Sequence, residues 1–285
     1  MRIFVAGAHG AVGRLLVPRL LADGHEVIGT SRGEAGVRAL AGLGASGVQV
    51  DVYDRAALTT AVTTAAPDVV VHQLTDLAGG NPADNARIRR EGTRNLVDAA
   101  KAAGVRRLVV QSIAWAYAPG DTPATEDTPL DLAADGPRAT TVGGVHALET
   151  QAAEIGEHVV LRYGTFYGPG TWYRRDDRVG RQFRDAAFTA NDGVTSFVHV
   201  EDAAVAAAQA VRWPTGTYNI TDDEPAPAHV WAPVFAEALD APRPAVTEGR
   251  AGWERGADNT LARTKLDWHP KYATWRDGFT ALAPA

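Results

Sequence analysis

The first residues that could do chemistry are three glycines near the N-terminus, Gly7, Gly10 and Gly13. They lie between an apolar stretch, residues 2–6, and a stretch in which leucine and valine recur at helical spacing. Glycine permits a tight turn and lets a ligand phosphate approach bare backbone, while the free N–H groups at a helix start attract an anion. The spacing therefore predicts a dinucleotide-binding turn between a β-strand and an α-helix.

The end of the next apolar stretch, residues 26–30, indicates which dinucleotide binds. An NAD enzyme usually offers an acidic side chain to the ribose 2′-OH at this place, but this chain has Ser31 and Arg32. A guanidinium pairs with a 2′-phosphate and a serine hydroxyl can donate to it, whereas a carboxylate would repel it. We therefore expect NADP. The alternative is that Arg32 is a solvated surface residue.

The elements that must position these residues alternate along the chain. Apolar stretches typical of buried parallel strands recur at residues 48–52, 67–74 and 107–112, with amphipathic stretches between them. This alternation predicts the fold class, an α/β protein with a doubly wound parallel sheet (Rossmann fold) and a small C-terminal substrate-binding lobe. In such a sheet the ligand lies at the carboxyl ends of the strands, so side chains that follow the strands are candidate contacts.

Composition excludes several classes of function. The chain of 285 residues has no cysteine, which rules out disulfides and thiolate metal sites, and we predict no metal centre. A net charge of −6 with scattered arginines argues against a nucleic-acid partner. No apolar run approaches the length of a membrane span, and Met1 leads directly into the first strand. We therefore expect a cytoplasmic protein with no membrane partner.

Four further segments resemble motifs of the short-chain dehydrogenase/reductase superfamily, in its extended or atypical branch. Residues 91–97 resemble its Asn-x-x-Gly-Thr-x-Asn-Leu helix, and residues 160–170 its Leu-Arg-x-x-Asn-Val-Tyr-Gly-Pro-Gly, with Thr165 in place of Asn. Residues 196–203 resemble its Phe-Ile-His-Val-Asp-Asp-Val, and residues 266–279 its closing Leu-Gly-Trp-x-Pro and Trp-Arg-Glu-Gly-Phe. The chain is thus similar to NAD-dependent epimerase/dehydratase-like proteins over nearly its whole length.

The resemblance implies a domain division and a set of cofactor contacts. Residues 1–165 should form the NADP-binding Rossmann domain and residues 166–285 mainly a substrate-binding region, with residues 196–220 returning to the sheet. Asp51 and Val52 should meet the adenine, although Asp51 could instead cap the next turn. The expected cofactor-binding residues lie at the glycine turn and at strand ends: Gly7, His9, Gly10, Ala11, Val12, Gly13, Ser31, Arg32, Asp51, Val52, Leu74, Thr75, Ser112, Gly164 and Thr165.

The catalytic groups of the family are missing from this sequence. Extended members reduce or oxidise a carbonyl with a Ser/Thr hydroxyl and a Tyr-x-x-x-Lys pair, whose lysine lowers the pKa of the tyrosine. No Tyr-x-x-x-Lys occurs in the chain, and alignment on Tyr117 places Ile113 at the hydroxyl position. The positions of the pair fall on one of two helix registers, Thr141 with Val145 or Val142 with His146. Carbonyl reduction by the familiar mechanism is therefore in doubt.

Other proton carriers are expected near the same strand ends, and we take Tyr117, His146 and Tyr163 as candidate catalytic residues. His146 could occupy the lysine position and titrate near neutrality, but it could equally be a histidine on the helix surface. Tyr117 could equally be a packing residue. If none of the three acts, protonation comes from solvent or substrate.

Aromatic residues indicate the kind of substrate. They concentrate at the two loops that line the substrate in relatives: Trp115, Tyr117, Tyr163, Phe166, Tyr167, Trp172 and Tyr173. Such rings favour a flat or aromatic small molecule over a sugar nucleotide, which needs cationic contacts for its pyrophosphate.

We therefore expect an enzyme, an NADP-dependent oxidoreductase that transfers hydride to a small, largely apolar or aromatic molecule without the usual Ser-Tyr-Lys acid. The protein could also form a homodimer. Two alternatives remain: a non-redox cyclase, dehydratase or isomerase on the same scaffold, and an NmrA-like NADP-binding sensor without catalysis.

Overall fold

The computed structural model describes residues 1–76 and 80–282. The strands are β1 (Arg2–Ala6), β2 (Glu26–Ser31), β3 (Ser46–Gln49), β4 (Val69–His72), β5 (Arg107–Ile113), β6 (Glu157–Tyr163), β7 (Thr165–Tyr167), β8 (Thr189–Ala190), β9 (Val194–Thr195), β10 (Phe197–His199), β11 (Gly216–Ile220), β12 (Ala226–Pro227) and β13 (Ala245–Val246). The α-helices are α1 (Gly13–Ala22), α2 (Glu34–Gly42), α3 (Arg55–Ala65), α4 (Pro82–Arg87), α5 (Thr93–Ala102), α6 (Gly136–Ala152), α7 (Arg178–Arg184), α8 (Val200–Ala210), α9 (Ala228–Ala238), α10 (Thr260–Leu266) and α11 (Trp275–Thr280).

The main sheet has seven strands in the order β11-β6-β5-β4-β1-β2-β3. Strand β1 pairs in parallel with β2 and with β4, and β4 pairs in parallel with β5. Strand order therefore reverses between β1 and β4, and a doubly wound sheet binds its ligand in the crevice at such a point. The prediction of an α/β protein with a parallel Rossmann-type sheet is confirmed.

The described chain divides into two compact units. The first consists of Met1–Ser112, Leu132–Leu161 and Ala204–Thr217. Its core is built from strand residues that are buried on both faces of the sheet, such as Phe4 and Val70, and from helix residues that cover them. This unit carries the glycine turn and the carboxyl ends of β1, β2 and β4.

The second unit consists of Ile113–Asp131, Arg162–Ala203 and the chain from Tyr218 onward. Its core is aromatic: the rings of Phe197, Trp231, Phe235 and Phe279 are all buried, and neighbouring rings meet mainly edge to face. Short strands pair outside the main sheet, β7 with β10 and β9 with β12.

The predicted boundary at residue 165 lies close to one point at which the chain passes from one unit to the other. The chain passes between the units at further points: Ile113–Asp131 belongs to the second unit, and Leu132–Leu161 and Ala204–Thr217 belong to the first. Within the predicted return segment 196–220, β11 joins the main sheet, whereas Phe197–His199 pairs with β7.

The helical stretch between residues 82 and 102 is interrupted. Asn81 caps its start, since its side chain accepts from the N–H of Ala83 at 2.9 Å. After α4 the chain forms a π-helical turn, Ile88–Gly92, before α5 begins. Such turns are rare and occur frequently at functional sites.

Two kinds of feature are absent from the described ranges. No helix of residues 1–76 and 80–282 has both the length and the apolar character that crossing a bilayer requires. The same residues contain no group of three or more histidine and acidic side chains that could hold a metal ion.

Candidate functional site

The glycine turn has the geometry that a dinucleotide pyrophosphate requires. Gly7 has φ +87°, and a Cβ there would lie 2.7 Å from the carbonyl oxygen of Gln73. The N–H of Gly10 donates to the carbonyl of Gly7 at 3.0 Å, which closes the turn. A Cβ on Gly13 would overlap that same carbonyl, so α1 can begin this close to β1 only with glycine.

The remaining residues of the turn are placed to present backbone to a ligand. His9 and Gly10 are exposed, Ala11 is half-buried, and Val12 is buried at the start of α1. The carbonyl of Gly10 accepts from the N–H of Arg14 at 3.1 Å, and that of Val12 accepts from the N–H of Leu16 at 2.9 Å, so helical bonding starts directly at the turn. The structure therefore brings the predicted phosphate-binding residues together at the N-terminus of α1.

The end of β2 presents polar and cationic groups and no carboxylate. Ser31 lies next to the exposed Arg32, and the Ser31 hydroxyl donates to the carbonyl of Gly33 at 3.0 Å. A Cβ on Gly36 would overlap the Ser31 hydroxyl and would lie 3.4 Å from the ring of His9. Glycine at position 36 thus leaves room for the Ser31 side chain, a role that no sequence motif indicated.

The predicted adenine contacts follow β3, which ends earlier than expected, at Gln49. Asp51 is exposed, and one of its oxygens accepts from the N–H of Tyr53 at 2.9 Å, so its side chain also holds the next turn. Val52 is half-buried and its carbonyl accepts from the Asn95 side chain at 2.9 Å. Asp51 therefore does cap the turn, and an adenine contact stays a prediction.

Strand β4 also ends two residues earlier than the apolar stretch, at His72. The N–H of Leu74 donates to Nδ1 of His72 at 3.2 Å, and the carbonyl of Leu74 accepts from the Gln111 side chain at 3.2 Å. Leu74 and Thr75 are half-buried at this strand end, where a ligand at the sheet's switch point would reach them.

The residues at the family's acid and base positions are now placed. Ser112 is buried, and its hydroxyl donates to the carboxylate of Glu149 at 2.7 Å. Helix α6 buries both Thr141 and Val145, which lie one turn apart on the same face as Glu149. His146 is exposed. Val142, the alternative tyrosine position, is buried as well, whereas His146 lies on the solvent side of the helix.

A buried arginine that no sequence motif singled out lies close to Glu149. Arg89 belongs to the π-helical turn and is 8% exposed. Burial lowers its pKa to about 10, against the opposing effect of the Glu149 carboxylate. Burial also lowers the pKa of His72 to about 4, with a smaller contribution from Arg89. One sequence feature could have drawn attention to Arg89: it stands where the family's Asn-x-x-Gly-Thr-x-Asn-Leu motif has its first asparagine.

Tyr117 is part of a buried network in the second unit. Its ring is 1% exposed, and its hydroxyl donates to Oδ1 of Asn219 at 2.6 Å. The amide of Asn219 donates to the carbonyls of Ala124 and Asp258, and the guanidinium of Arg162 lies 4.7 Å from the Tyr117 ring centroid. The structure therefore places Tyr117 in a buried packing network, and a catalytic role for it stays a prediction.

The remaining predicted residues of the second unit follow β6. Tyr163 is 1% exposed, and its hydroxyl donates to the carbonyl of Ala203 at 3.3 Å. A Cβ on Gly164 would lie 2.6 Å from the carbonyl oxygen of Ser196, so glycine is required where β7 approaches β10. Thr165 is half-buried at the start of β7.

The second unit contains a cavity of about 450 Å³, and Thr165 is one of its lining residues. Of the seven aromatic residues expected at the substrate, only Trp115 and Tyr173 line it, since Tyr117, Tyr163 and Tyr167 are buried in the core. Three further rings come from segments that no sequence pattern connected: Phe188, Trp231 and Trp253. Among the described lining residues, Glu254 carries the only charge.

The sheet with its switch point and the glycine turn at the start of α1 define a dinucleotide-binding enzyme of the short-chain dehydrogenase/reductase type. Residues 3–221 match the model of the NAD dependent epimerase/dehydratase family. The chain belongs to this family.

Individual relatives extend the match over the whole chain. The chain is 44% identical over 304 residues to a protein of a Streptomyces species named 3-diazoavenalumate denitrifying reductase. The alignment covers 98% of this chain and 99% of that protein. It is 28% identical over 298 residues to a UDP-glucose 4-epimerase of Mycolicibacterium smegmatis, covering 96% of this chain and 95% of that protein.

Among solved structures, the UDP-glucose 4-epimerase of Thermus thermophilus in complex with NAD has a TM-score of 0.77 at 26% identity, covering 98% of this chain and 97% of that chain. The predicted resemblance and the prediction of an NAD(P)-dependent enzyme are confirmed.

Proposed function

We propose that this protein is an NADPH-dependent reductase that transfers hydride to a small aromatic electrophile carrying its own positive charge, an arenediazonium ion. The observation that carries the proposal is the side-chain set at the acid and base positions. Ile113, Thr141 and Val145 stand there, and none of them can act as a phenol or an ammonium.

The chemistry of the acceptor explains how a reductase can work without an acid. Hydride addition to a carbonyl produces an alkoxide, and a protein acid must supply its proton. Hydride addition to Ar–N₂⁺ forms an Ar–H bond while the electron pair of the C–N bond leaves with N₂. The products are the arene, N₂ and NADP⁺, and the balance contains no proton. The enzyme then has to orient the two reactants, which is the contribution that a site without an acid can make.

The relative at 44% identity supports this chemistry, because its name, 3-diazoavenalumate denitrifying reductase, describes a reductase that removes nitrogen from a diazo compound. The aromatic cavity of the second unit supports it as well, since Trp115, Tyr173 and Trp231 are among its lining residues and aromatic side chains favour a flat apolar substrate. We propose this cavity as the substrate site.

We also propose that the cofactor is NADPH rather than NADH, in contrast to the Thermus thermophilus relative, whose structure contains NAD. Ser31 and Arg32 support it, because neither would repel a 2′-phosphate, and no ion pair engages the Arg32 side chain within residues 1–76 and 80–282. The other predicted cofactor contacts are proposed on the same grounds. The diazonium reaction consumes no proton, so Tyr117, His146 and Tyr163 as proton donors belong to the competing prediction, which single-residue variants test.

Sugar-nucleotide epimerisation is the second candidate, because a UDP-glucose 4-epimerase matches 96% of the chain. Two features of this chain speak against it. The Tyr-x-x-x-Lys pair is absent from the sequence, and the described lining of the cavity offers Glu254 but no lysine or arginine to a diphosphate.

A direct assay separates the two candidates. The purified protein is supplied with NADPH and 4-hydroxybenzenediazonium, and NADPH absorbance and N₂ release are followed together. We expect one N₂ for each NADPH consumed and phenol as the product, above the rate with heat-denatured protein. A parallel reaction with NAD⁺ and UDP-glucose should give no UDP-galactose. Epimerisation without diazonium reduction would refute the proposal, and neither activity would favour the sensor alternative.

A further inference from the structure

The cavity of the second unit contains one fixed carboxylate. Glu254 lies on its wall beside Trp253, and one carboxylate oxygen accepts from the N–H of Ala251 at 2.7 Å. The backbone at Glu254 is hydrogen-bonded to the β9 segment, because the N–H of Val194 donates to the carbonyl of Glu254 at 2.9 Å. A Cβ on Gly193 would lie 2.9 Å from the Glu254 carboxyl carbon, so glycine leaves room for this side chain. The carboxylate is therefore built into the wall.

The arginines nearest in sequence form their contacts away from the Glu254 carboxylate. Arg250 donates to the backbone carbonyls of Gly120, Gly252 and Glu254 itself, and its ion pair is with Asp121. Arg255 donates to the carbonyl oxygens of Ala118 and Thr122. Neither forms an ion pair with the Glu254 carboxylate in the part of the chain that the structure describes. Glu254 thus remains the charged side chain of the described cavity lining.

We propose that Glu254 is a specificity-determining residue that makes this cavity select aromatic cations and reject anions. A carboxylate in a partly enclosed cavity lined by neutral side chains attracts a cation more strongly than it would in water, because the effective dielectric constant is lower there. Trp115, Trp231 and Trp253 also line the cavity, and aromatic rings attract cations that lie over their faces. The same charge repels phosphates and carboxylates. This assignment of a substrate class rests on the proposed function, because it takes the cavity as the substrate site.

Unreactive ligands test the inference without any turnover. Phenyltrimethylammonium is the cation, tert-butylbenzene is its neutral counterpart of similar shape, and benzoate is the anion. Binding to the full-length protein with NADP⁺ present is measured by tryptophan fluorescence and calorimetry. We expect the wild-type protein to bind the cation at least tenfold more tightly than the neutral compound, which corresponds to about 1.4 kcal/mol. Benzoate should bind most weakly.

Two variants attribute this preference to the charge. Glu254→Gln can still accept from the Ala251 N–H, so it should fold while losing the preference for the cation. Glu254→Asp keeps the charge and should retain most of the preference. Glu248→Gln, an exposed residue that does not line the cavity, is the matched control and should behave as wild type. A cation preference that survives intact in folded Glu254→Gln, or is missing from the wild-type protein, would overturn the inference.

The outcome is independent of the reductase assay. If the ligands behave as expected but the diazonium compound is not reduced, the proposed function fails and the aromatic-cation site stands. If reduction occurs with equal KM in wild type and Glu254→Gln, the proposed function stands and the role of Glu254 fails.

Discussion

The side chains at three positions separate this protein from relatives that use an acid. Ile113 ends β5, and Thr141 and Val145 share the buried face of α6. The resemblance to the family predicts that these residues replace the hydroxyl, the phenol and the ammonium of relatives. Nearby, Ser112 is committed to Glu149 and Arg89 is buried beside it. This arrangement fits a reaction in which the substrate supplies the positive charge.

The three candidate proton donors can be tested one at a time. We expect single-turnover rates of Tyr163→Phe and His146→Ala to stay within a few-fold of wild type, because the diazonium reaction consumes no proton and His146 is exposed. Tyr117→Phe should mainly lower stability, by about 1–3 kcal/mol, since it leaves the buried Asn219 oxygen without its donor. Rates are measured across pH with NADPH binding checked for each variant. A hundredfold loss in one variant, with a lost limb of the pH profile, would identify that residue as the acid.

The cofactor preference depends on Arg32. Arg32→Ala should weaken NADPH binding by about 1.5–3 kcal/mol, the value of a charge-assisted hydrogen bond, and leave NADH binding unchanged. Fluorescence titration with both cofactors measures this. The matched control is Arg38→Ala on α2, an exposed arginine that pairs with Glu34 at 3.2 Å. Equal losses for the two cofactors, or equal effects of the two variants, would show that Arg32 does not read the 2′-phosphate.

In the glycine turn, Gly10 is expected to serve cofactor binding and Gly13 the close packing of α1 against β1, and substitutions can separate these two roles. Gly10→Val should abolish NADPH binding, because the valine side chain would project where the pyrophosphate approaches. The protein should still fold, because the new Cβ would contact only the Gly7 carbonyl oxygen, at 3.2 Å. Gly13→Ala should instead unfold the protein, since its Cβ would overlap the Gly7 carbonyl. Gly156→Val, with no atom near its Cβ, is the control. Circular dichroism and cofactor titration report folding and binding. Normal binding by Gly10→Val would mean that the turn does not hold the pyrophosphate.

Some elements could be predicted from the sequence because their cause is local. The turn around Gly7 and the cap at Asn81 depend on residues a few positions apart, and the apolar stretches depend on burial within a parallel sheet. Other features arise only in the folded chain. The π-helical turn at Arg89 depends on packing against α6, and the cavity unites Trp115, Trp231 and Trp253, which lie far apart in sequence. No spacing rule connects such residues.

At the scale of the whole molecule, buried titratable groups link stability to pH. Burial raises the pKa of Asp222 to about 8, and the carboxylates of Asp223 and Glu224 act in the same direction. In the unfolded chain the pKa is about 4, so between pH 4 and 8 the folded protein holds the proton more tightly. This group's contribution to stability is therefore greatest below pH 4 and is lost as the pH rises towards 8.

Asp222→Asn removes that titration. Relative to wild type, the variant should gain melting temperature steadily from pH 5 to pH 8.5, by at least about 2–4 °C at the upper end if the gain is 1 kcal/mol. Thermal unfolding followed at several pH values gives the difference curve. Asp127→Asn, an exposed aspartate in the same unit, should give a flat difference. A flat curve for Asp222→Asn would show that Asp222 is ionised in the folded protein at neutral pH.

The central claim is that hydride passes from the nicotinamide to the ring carbon of an arenediazonium ion and that the protein supplies no proton. The most direct measurement uses NADPH deuterated at C4, once on each face, with 4-hydroxybenzenediazonium in ordinary water, and locates the deuterium in the phenol by mass spectrometry and NMR. We expect one deuterium per product from one of the two labelled cofactors, at the carbon that held the nitrogen, and no deuterium at that carbon when unlabelled NADPH is used in D₂O. Hydrogen from solvent at that carbon would contradict it.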